Sequence, residues 1–316
     1  MSVKGSVAID LKFERRGIDR ALANAFQGRD VLRVSDPAVD LSAARYAVVW
    51  KPEPDLFRRA PNLQVLFSGG AGVDHILAVP ELPDIPIVRF VDESLTVRMS
   101  EWVVLQCLSH LRQVPTYLKQ QRDRQWRELS QPEAKDVTVG VMGLGVLGQD
   151  SVRKLKVMGF NVVGWSRSAK IIDGVETFHG GELDAFLGRT DILVGLLPLT
   201  SDTKGMFNAG LFSKLRKGGA LSRPVFINAG RGGSQVEADL ATALQEGILG
   251  GASLDVFEQE PLASDSPFWA MDNVIITPHA ASASDLGALF RNAEEQMEAF
   301  EGGQPLRHLV DRRVGY

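Results

Sequence analysis

Residues 137–168 read VTVGVMGLGVLGQDSVRKLKVMGFNVVGWSRS, and this stretch decides the fold. An apolar strand (Val137 to Met142) runs into Gly143-x-Gly145-x-x-Gly148, then a helix, then a second strand (Asn161 to Trp165). That is the complete βαβ setting a dinucleotide site requires. Gly143 permits the tight turn, Gly145 lets backbone approach a pyrophosphate, and Gly148 allows close helix packing. The helix N-terminus then faces the anion with its free N–H groups. The end of the second strand selects the cofactor. A site specific for NAD places Asp or Glu there to hold the ribose hydroxyls, whereas this chain has Trp165-Ser166-Arg167-Ser168-Ala169-Lys170. Ser166 and Arg167 suit a 2'-phosphate, one by hydrogen bonding and the other by a planar charged fork. NADPH is therefore the expected cofactor, with NADH possible; the alternative is that Arg167 and Lys170 are ordinary solvated loop charges.

Working outward, residues 1 to about 100 alternate short apolar runs with polar helical stretches. VAIDL, DVLRV, YAVVW, LQVLF and IPIVRF are the expected strands, near-continuous in apolar residues as strands buried on both faces are. From Ser94, read as an N-cap, to about Gln120 the spacing becomes helical, and a helix of that length is long enough to bridge domains. Pro115 predicts a break near its end. Beyond the fingerprint, DILVGLLP, PVFINAG, GASLDVF and NVIITPH extend a doubly wound sheet. A final helix from about Ser282 to Phe300 leads to DRRVGY, and this tail is expected to return and pack on the first block. GGALSRPVF reads as a loop insertion before the strand at Val225. The fold class is α/β, with two doubly wound parallel-sheet domains.

Composition narrows the function. The chain has 316 residues, which at roughly 100 to 200 residues per domain favours two domains. Lys plus Arg total 35 against 39 for Asp plus Glu, so the net charge of -4 offers no electrostatic reason to expect nucleic acid. The single cysteine, Cys107, lies in an apolar helical run, reads as core, and fits a reducing compartment. No signal-peptide pattern opens the chain and no long uninterrupted apolar run occurs, so it is expected to be cytoplasmic, with no membrane partner and no metal site.

Three polar residues follow successive late strands: Arg231 in INAGRGG, Glu260 in LDVFEQEP and His279 in VIITPH. An anion clamp, a carboxylate and an imidazole beside a dinucleotide suit hydride transfer to a 2-oxo acid. Charge grows on the keto oxygen and must be met by a cation and a proton. Each residue also has a plain structural alternative, Glu260 as a turn cap before Pro261 and Arg231 as a loop charge. The loop Ser68-Gly69-Gly70-Ala71-Gly72-Val73-Asp74 offers backbone N–H groups that suit a carboxylate, or is a plain glycine turn. Trp50 and Lys51, ending the preceding apolar strand, are candidates to line the same site; Trp269 reads as a packing anchor. The other four histidines, His75, His110, His179 and His308, have no comparable setting.

These motifs, together with LLPLT (Leu196 to Thr200), look like the D-2-hydroxyacid dehydrogenase family over nearly the whole chain. AVVWKPEPDLF, SGGAGVDHIL, GWSRS and VDRRVGY are most similar to its glyoxylate/hydroxypyruvate reductase A group. The resemblance implies a flavodoxin-like substrate domain from residues 1–100 and 285–316, and a Rossmann nucleotide domain from 101–284. It implies a homodimer through the nucleotide domain and the arm near Trp126. It makes His279 the proton donor, with Glu260 holding the imidazole and raising its pKa, and Arg231 the orienting cation. Gly70, Ala71 and Gly72 would take the substrate carboxylate. Gly143, Gly145, Val146, Leu147, Gly148, Ser166, Arg167, Lys170, Leu197, Pro198, Thr200, Ala229 and Asp255 would hold the cofactor, Asp255 meeting the carboxamide unless it is tied to backbone instead. Ser284-Asp285-Leu286 departs from the family's Thr-Arg-Pro-like segment. The implied reaction is NADPH-dependent reduction of glyoxylate and hydroxypyruvate. Alternatives are a related dehydrogenase for a bulkier 2-oxo acid, or a dinucleotide-sensing binding protein of the same fold.

Overall fold

The computed structural model describes residues 4–13 and 16–315. The chain forms two compact units, Met1–Leu95 with Ser284–Tyr316, and Thr96–Ala283. It leaves the first at Leu95, inside the helix Glu93–Leu111, and returns at Ser284.

In the first unit, β1 (Ser6–Leu11), β2 (Val31–Arg33), β3 (Ala44–Trp50), β4 (Val65–Ser68) and β5 (Ile87–Val88) form a parallel sheet. Their order is β2-β1-β3-β4-β5, a doubly wound order that reverses between β1 and β3. One face carries Ala8, Ala47, Val49 and Leu66 against Leu41, Leu56 and Ile76. The C-terminal helix Leu286–Glu301 also belongs to this unit. Phe290 packs on Phe26 at 5.8 Å and Phe300 sits edge-on to Tyr46 at 6.4 Å. The tail returns as expected: Leu309 bridges Val88 in antiparallel sense, and Arg312 donates to the carbonyls of Pro83 and Ile85, both at 2.6 Å.

In the second unit, β6 (Thr138–Met142), β7 (Asn161–Ser166), β8 (Glu176–His179), β9 (Ile192–Gly195), β10 (Val225–Asn228), β11 (Gly251–Leu254) and β12 (Val274–Ile276) are all parallel. The order β12-β11-β10-β9-β6-β7-β8 reverses between β6 and β9. Burial on both faces explains the apolar runs: Ile192, Val194, Val225 and Ile227 face one core, while Leu193 and Phe226 face the other. β8 was not expected. Its sequence, ETFH, has no apolar run because it is a partly exposed edge strand.

The cap of the long helix differs from the sequence reading, whereas the break expected near Pro115 is present. The helix expected to start after Ser94 begins at Glu93, and Asp92 is the residue that caps it. Asp92 Oδ1 accepts from Ser94 N at 2.9 Å and Leu95 N at 3.4 Å, a carboxylate being favoured at that end of the dipole. Around Pro115 the helix divides. Glu93–Leu111 ends, Gln113 takes a left-handed backbone (φ 54°), and Val114–Arg122 restarts with the proline in its first turn.

One ionic cluster ties the ends of the first unit together. Arg29 has a side chain 0% exposed; its Nε donates to Glu294 at 2.7 Å, and one terminal nitrogen reaches Glu301 at 2.9 Å and the Gly5 carbonyl at 2.5 Å. Burial pushes the Glu301 carboxyl up, but Arg29 and the Gly5 N–H outweigh it and hold it below its ordinary range. A depressed carboxylate contributes stability above its unfolded value and loses it as pH falls through the folded one. Arg29→Met should cost about 3–5 kcal/mol in urea unfolding, because Glu301 loses its cation while part-buried and buried Glu294 keeps only Lys4, at 2.8 Å. A loss below about 1 kcal/mol would contradict this.

Candidate active site

The second unit presents its polar side chains where its strands end. β10, β11 and β12 finish in register, Asn228 beside Leu254 and Leu254 beside Ile276. Arg231, Glu260 and His279 therefore issue from one edge of the sheet, as ligand sites of open α/β sheets do.

His279 and Glu260 meet. The imidazole Nδ1 lies 2.9 Å and 3.1 Å from the two Glu260 carboxylate oxygens, with the His279 side chain 37% exposed. A carboxylate can only accept, so Nδ1 carries a proton and Nε2 is the nitrogen directed elsewhere. His279 takes a left-handed backbone, φ 51°, which a side chain adopts only where surrounding bonds hold it. Those bonds come from Asp255, just beyond β11. Its carbonyl accepts from His279 N at 2.8 Å. Its carboxylate accepts from Ala280 N at 2.8 Å, Ala281 N at 3.0 Å and Thr277 Oγ1 at 2.5 Å. Asp255 is 1% exposed, and burial raises its carboxyl above the ordinary range despite these donors. Its carboxylate is thus engaged with backbone and with Thr277.

Arg231 is half-buried and donates to the Gly230 carbonyl at 2.8 Å. Its turn hangs on two buried amides that the sequence did not single out. Asn228 accepts from Gly230 N at 3.0 Å and donates to the Arg231 carbonyl at 3.2 Å and to Gln235 at 2.9 Å. Gln235 in turn donates to the Val256 carbonyl at 3.1 Å. This links the Arg231 turn to the segment leading to Glu260. Only the hydrogen-bonding capacity of Asn and Gln hints at it beforehand.

At the reversal between β6 and β9, Gly143 has φ 105°, and a Cβ there would lie 2.5 Å from the Leu196 carbonyl oxygen. A Cβ at Gly148 would lie 1.8 Å from the Gly143 carbonyl oxygen, so the helix Val146–Val157 can start only with glycine there. At Gly145, by contrast, no atom stands within 4 Å of a Cβ position, and no side chain caps the helix. The first turn, with Val146 and Leu147, thus has room for a pyrophosphate. Leu197, Pro198 and Thr200 follow β9, with Thr203 Oγ1 bonding Pro198 O at 2.6 Å and Thr200 N at 2.8 Å. Ala229 N donates to Gly195 O at 3.2 Å. At the end of β7, Ser166 is buried and donates to the Ser168 carbonyl at 2.8 Å. Arg167 is half-exposed, 3.9 Å from Asp202, and Lys170 is exposed. No carboxylate occupies the β7 end itself, so the residues present fit a phosphorylated ribose.

In the first unit, Trp50 closes β3 and Lys51 follows it. The loop Ser68–Asp74 follows β4, where Ser68 Oγ donates to the Gly72 carbonyl at 2.8 Å and accepts from Gly70 N at 3.3 Å. Gly70, Ala71 and Gly72 lie on that loop, close to Trp50: a Cβ on Gly70 would be 2.6 Å from the indole. Among the other histidines, His110 is buried 2.9 Å from Ser253 Oγ, where burial pushes it down to about 4. Trp269 donates its indole N–H to the Ala263 carbonyl at 2.9 Å, yet is half-exposed.

The family model for the D-isomer specific 2-hydroxyacid dehydrogenase NAD binding domain matches residues 104–281. A glyoxylate/hydroxypyruvate reductase A from Serratia proteamaculans is 39% identical over 280 residues, 86% of this chain and 88% of that one. The one from Citrobacter koseri is 38% identical over 303 residues, 94% and 95%. The crystal structure of an NADPH-dependent glyoxylate/hydroxypyruvate reductase from Sinorhizobium meliloti, with NADP and sulfate, superposes with a TM-score of 0.96. It is 61% identical, covering 99% of this chain and 100% of that one. A probable 2-hydroxyacid dehydrogenase from Rhizobium etli, with NADP, HEPES and L(+)-tartaric acid, gives 0.93 at 61% identity, with the same coverage.

Gly148→Ala should destabilise the protein by about 1–3 kcal/mol, since the added methyl must displace backbone. Thermal melting measures this, and an unchanged midpoint would show that the helix start can move.

Proposed function

The chain belongs to the D-isomer specific 2-hydroxyacid dehydrogenase family, and on that premise we propose that it is an NADPH-dependent reductase of small 2-oxo acids. Glyoxylate and hydroxypyruvate are its first substrates, giving glycolate and D-glycerate. The observation that carries this reading is the His279–Glu260 pair, at 2.9 Å, on the same sheet edge as Arg231. The named activities of the Serratia proteamaculans and Sinorhizobium meliloti relatives point the same way.

NADPH, when bound, supplies the hydride. Gly143, Gly145 and Gly148, with the start of the helix Val146–Val157, hold its pyrophosphate, and Ser166, Arg167 and Lys170 hold its 2'-phosphate. Leu197, Pro198, Thr200 and Ala229 line the remainder. In the reduction, His279 gives the proton on Nε2 to the keto oxygen, while Glu260 keeps Nδ1 protonated and the ring oriented. Arg231 pairs with the substrate carboxylate and keto oxygen, stabilising the charge that gathers there. Amides of the Gly70–Gly72 loop anchor the carboxylate, and Trp50 and Lys51 border the rest of the substrate. Asp255 serves this site by fixing the left-handed turn that carries His279.

The two segments Met1–Leu95 and Ser284–Tyr316 form the substrate domain in this reading, and Thr96–Ala283 the nucleotide domain. A homodimer through the nucleotide domain is supported by Leu105, Val114, Leu118 and Trp126, large apolar side chains exposed along residues 105–126. The cytoplasm suits a chain whose one cysteine is buried, and among the described residues no helix is long and apolar enough to cross a membrane.

NADPH oxidation followed optically against a panel of 2-oxo acids is the direct test. Turnover with glyoxylate and hydroxypyruvate is expected; cofactor binding without turnover would favour a dinucleotide-sensing protein instead. His279→Gln should lower kcat by about 10²–10⁴-fold with NADPH affinity nearly unchanged; an undiminished rate would remove the proton-donor role. Arg167→Ala should raise KM for NADPH about tenfold or more while leaving that for NADH nearly unchanged. Equal effects on the two cofactors would refute the 2'-phosphate assignment.

A further inference from the structure

Lys51, directly after β3, takes a left-handed backbone with φ 54°. Such a conformation needs a fixing contact in a residue with a side chain. His75 supplies one: Lys51 N–H donates to His75 Nδ1 at 3.2 Å. The same imidazole stands edge-on to the Trp50 indole, ring centroids 4.2 Å apart at 60°. The indole also lies against the glycine loop, where a Cβ on Gly70 would come within 2.6 Å of it and one on Gly69 within 3.3 Å of Trp50 Cβ. The Cβ-free loop leaves the indole its place on one side, and the imidazole packs against it.

We infer that His75 is the positioning residue that sets the size of substrate this enzyme accepts. The inference rests on the reading of the Gly70–Gly72 loop as the carboxylate anchor. A 2-oxo acid held there by its carboxylate places its remaining substituent within reach of neighbouring side chains, and Trp50 is the large one beside the loop. Glyoxylate carries only hydrogen at that point and hydroxypyruvate a hydroxymethyl group, so an immobile indole admits both and limits anything larger. His75 touches no reacting atom. It acts by holding the Trp50–Lys51 corner, and it comes from the first turn after the glycine loop, in the helix Asp74–Leu77. Anchor and size limit are thus parts of one short segment. Because Nδ1 accepts from Lys51, it must keep its lone pair, and the ring proton sits on Nε2. A side chain without an acceptor loses that bond.

The test uses the full chain with steady-state kinetics on glyoxylate, hydroxypyruvate and phenylpyruvate. His75→Leu should raise KM for glyoxylate and shift the glyoxylate-to-phenylpyruvate preference in kcat/KM about tenfold toward the bulkier acid. That lies within the range one pocket contact commands. KM for NADPH should not move. His75→Gln keeps an acceptor and should stay within about threefold of the parent. His75→Phe keeps a ring against Trp50 and loses only the acceptor; it should shift the preference in the same direction as His75→Leu. It provides the second reading if the leucine variant does not fold. In a Trp50→Leu background, His75→Leu should add nothing, since its effect passes through the indole. An unchanged preference in both the leucine and phenylalanine variants overturns the inference, as does an equal effect with Trp50 absent. If the parent enzyme reduces none of the acids, it is the proposed function that fails; if it reduces them and the His75 variants match it, only this inference does.

Discussion

A strand buried on both faces has nowhere to put an unpaired polar side chain except its end. β9 and β10 of the seven-stranded sheet send Ile192, Val194, Val225 and Ile227 to one core and Leu193 and Phe226 to the other. Strand interiors so placed are closed to chemistry, because an unpaired polar group there costs several kcal/mol. The parallel arrangement then brings every carboxyl end to the same edge, in register. The placement of Arg231, Glu260 and His279 follows from that constraint, and so does the placement of the glycine turn after β6.

Strand ends do not stay put unaided, and polar clamps hold them. Asp255 gathers Thr277, Ala280 and Ala281 around the turn that projects His279, and Asn228 with Gln235 gathers the Arg231 turn. His75 plays the same part for the Trp50–Lys51 corner. Two of these corners carry a side-chain residue at positive φ, His279 and Lys51, conformations costing on the order of 1–3 kcal/mol each. A functional group held at such cost is held in one orientation, which is what proton delivery and size selection both require.

The sequence revealed the sheets well because their interiors are dictated by burial: VAIDL, YAVVW and DILVG carry the signal in every residue. It revealed the fingerprint because Gly143 and Gly148 answer to backbone clashes that no other residue escapes. It hid β8, whose ETFH is an edge strand with little to bury. It misplaced the cap at Ser94 because Asp92, two residues earlier, offers the stronger acceptor to the same backbone. His75 was passed over for a different reason. Its partner is the backbone N–H of a residue 24 positions away, and nothing in the local pattern around a histidine announces such a bond. The departure at Ser284-Asp285-Leu286 proves to be a helix start, Asp285 accepting from Ala288 N at 2.8 Å.

The discontinuity of the first unit imposes an order on its assembly during synthesis. Residues up to Leu95 leave the ribosome long before Leu286–Glu301 does, and all of Thr96–Ala283 is made in between. At about 5–20 residues per second that interval lasts roughly 10 to 40 s. Throughout it, Phe26 and Tyr46 lack the aromatic rings that cover them, and Arg29 lacks both carboxylates. The nucleotide-binding unit is continuous and waits for nothing. The nascent chain is therefore most exposed to chaperones and proteases through its amino-terminal segment, the part translated first and completed last.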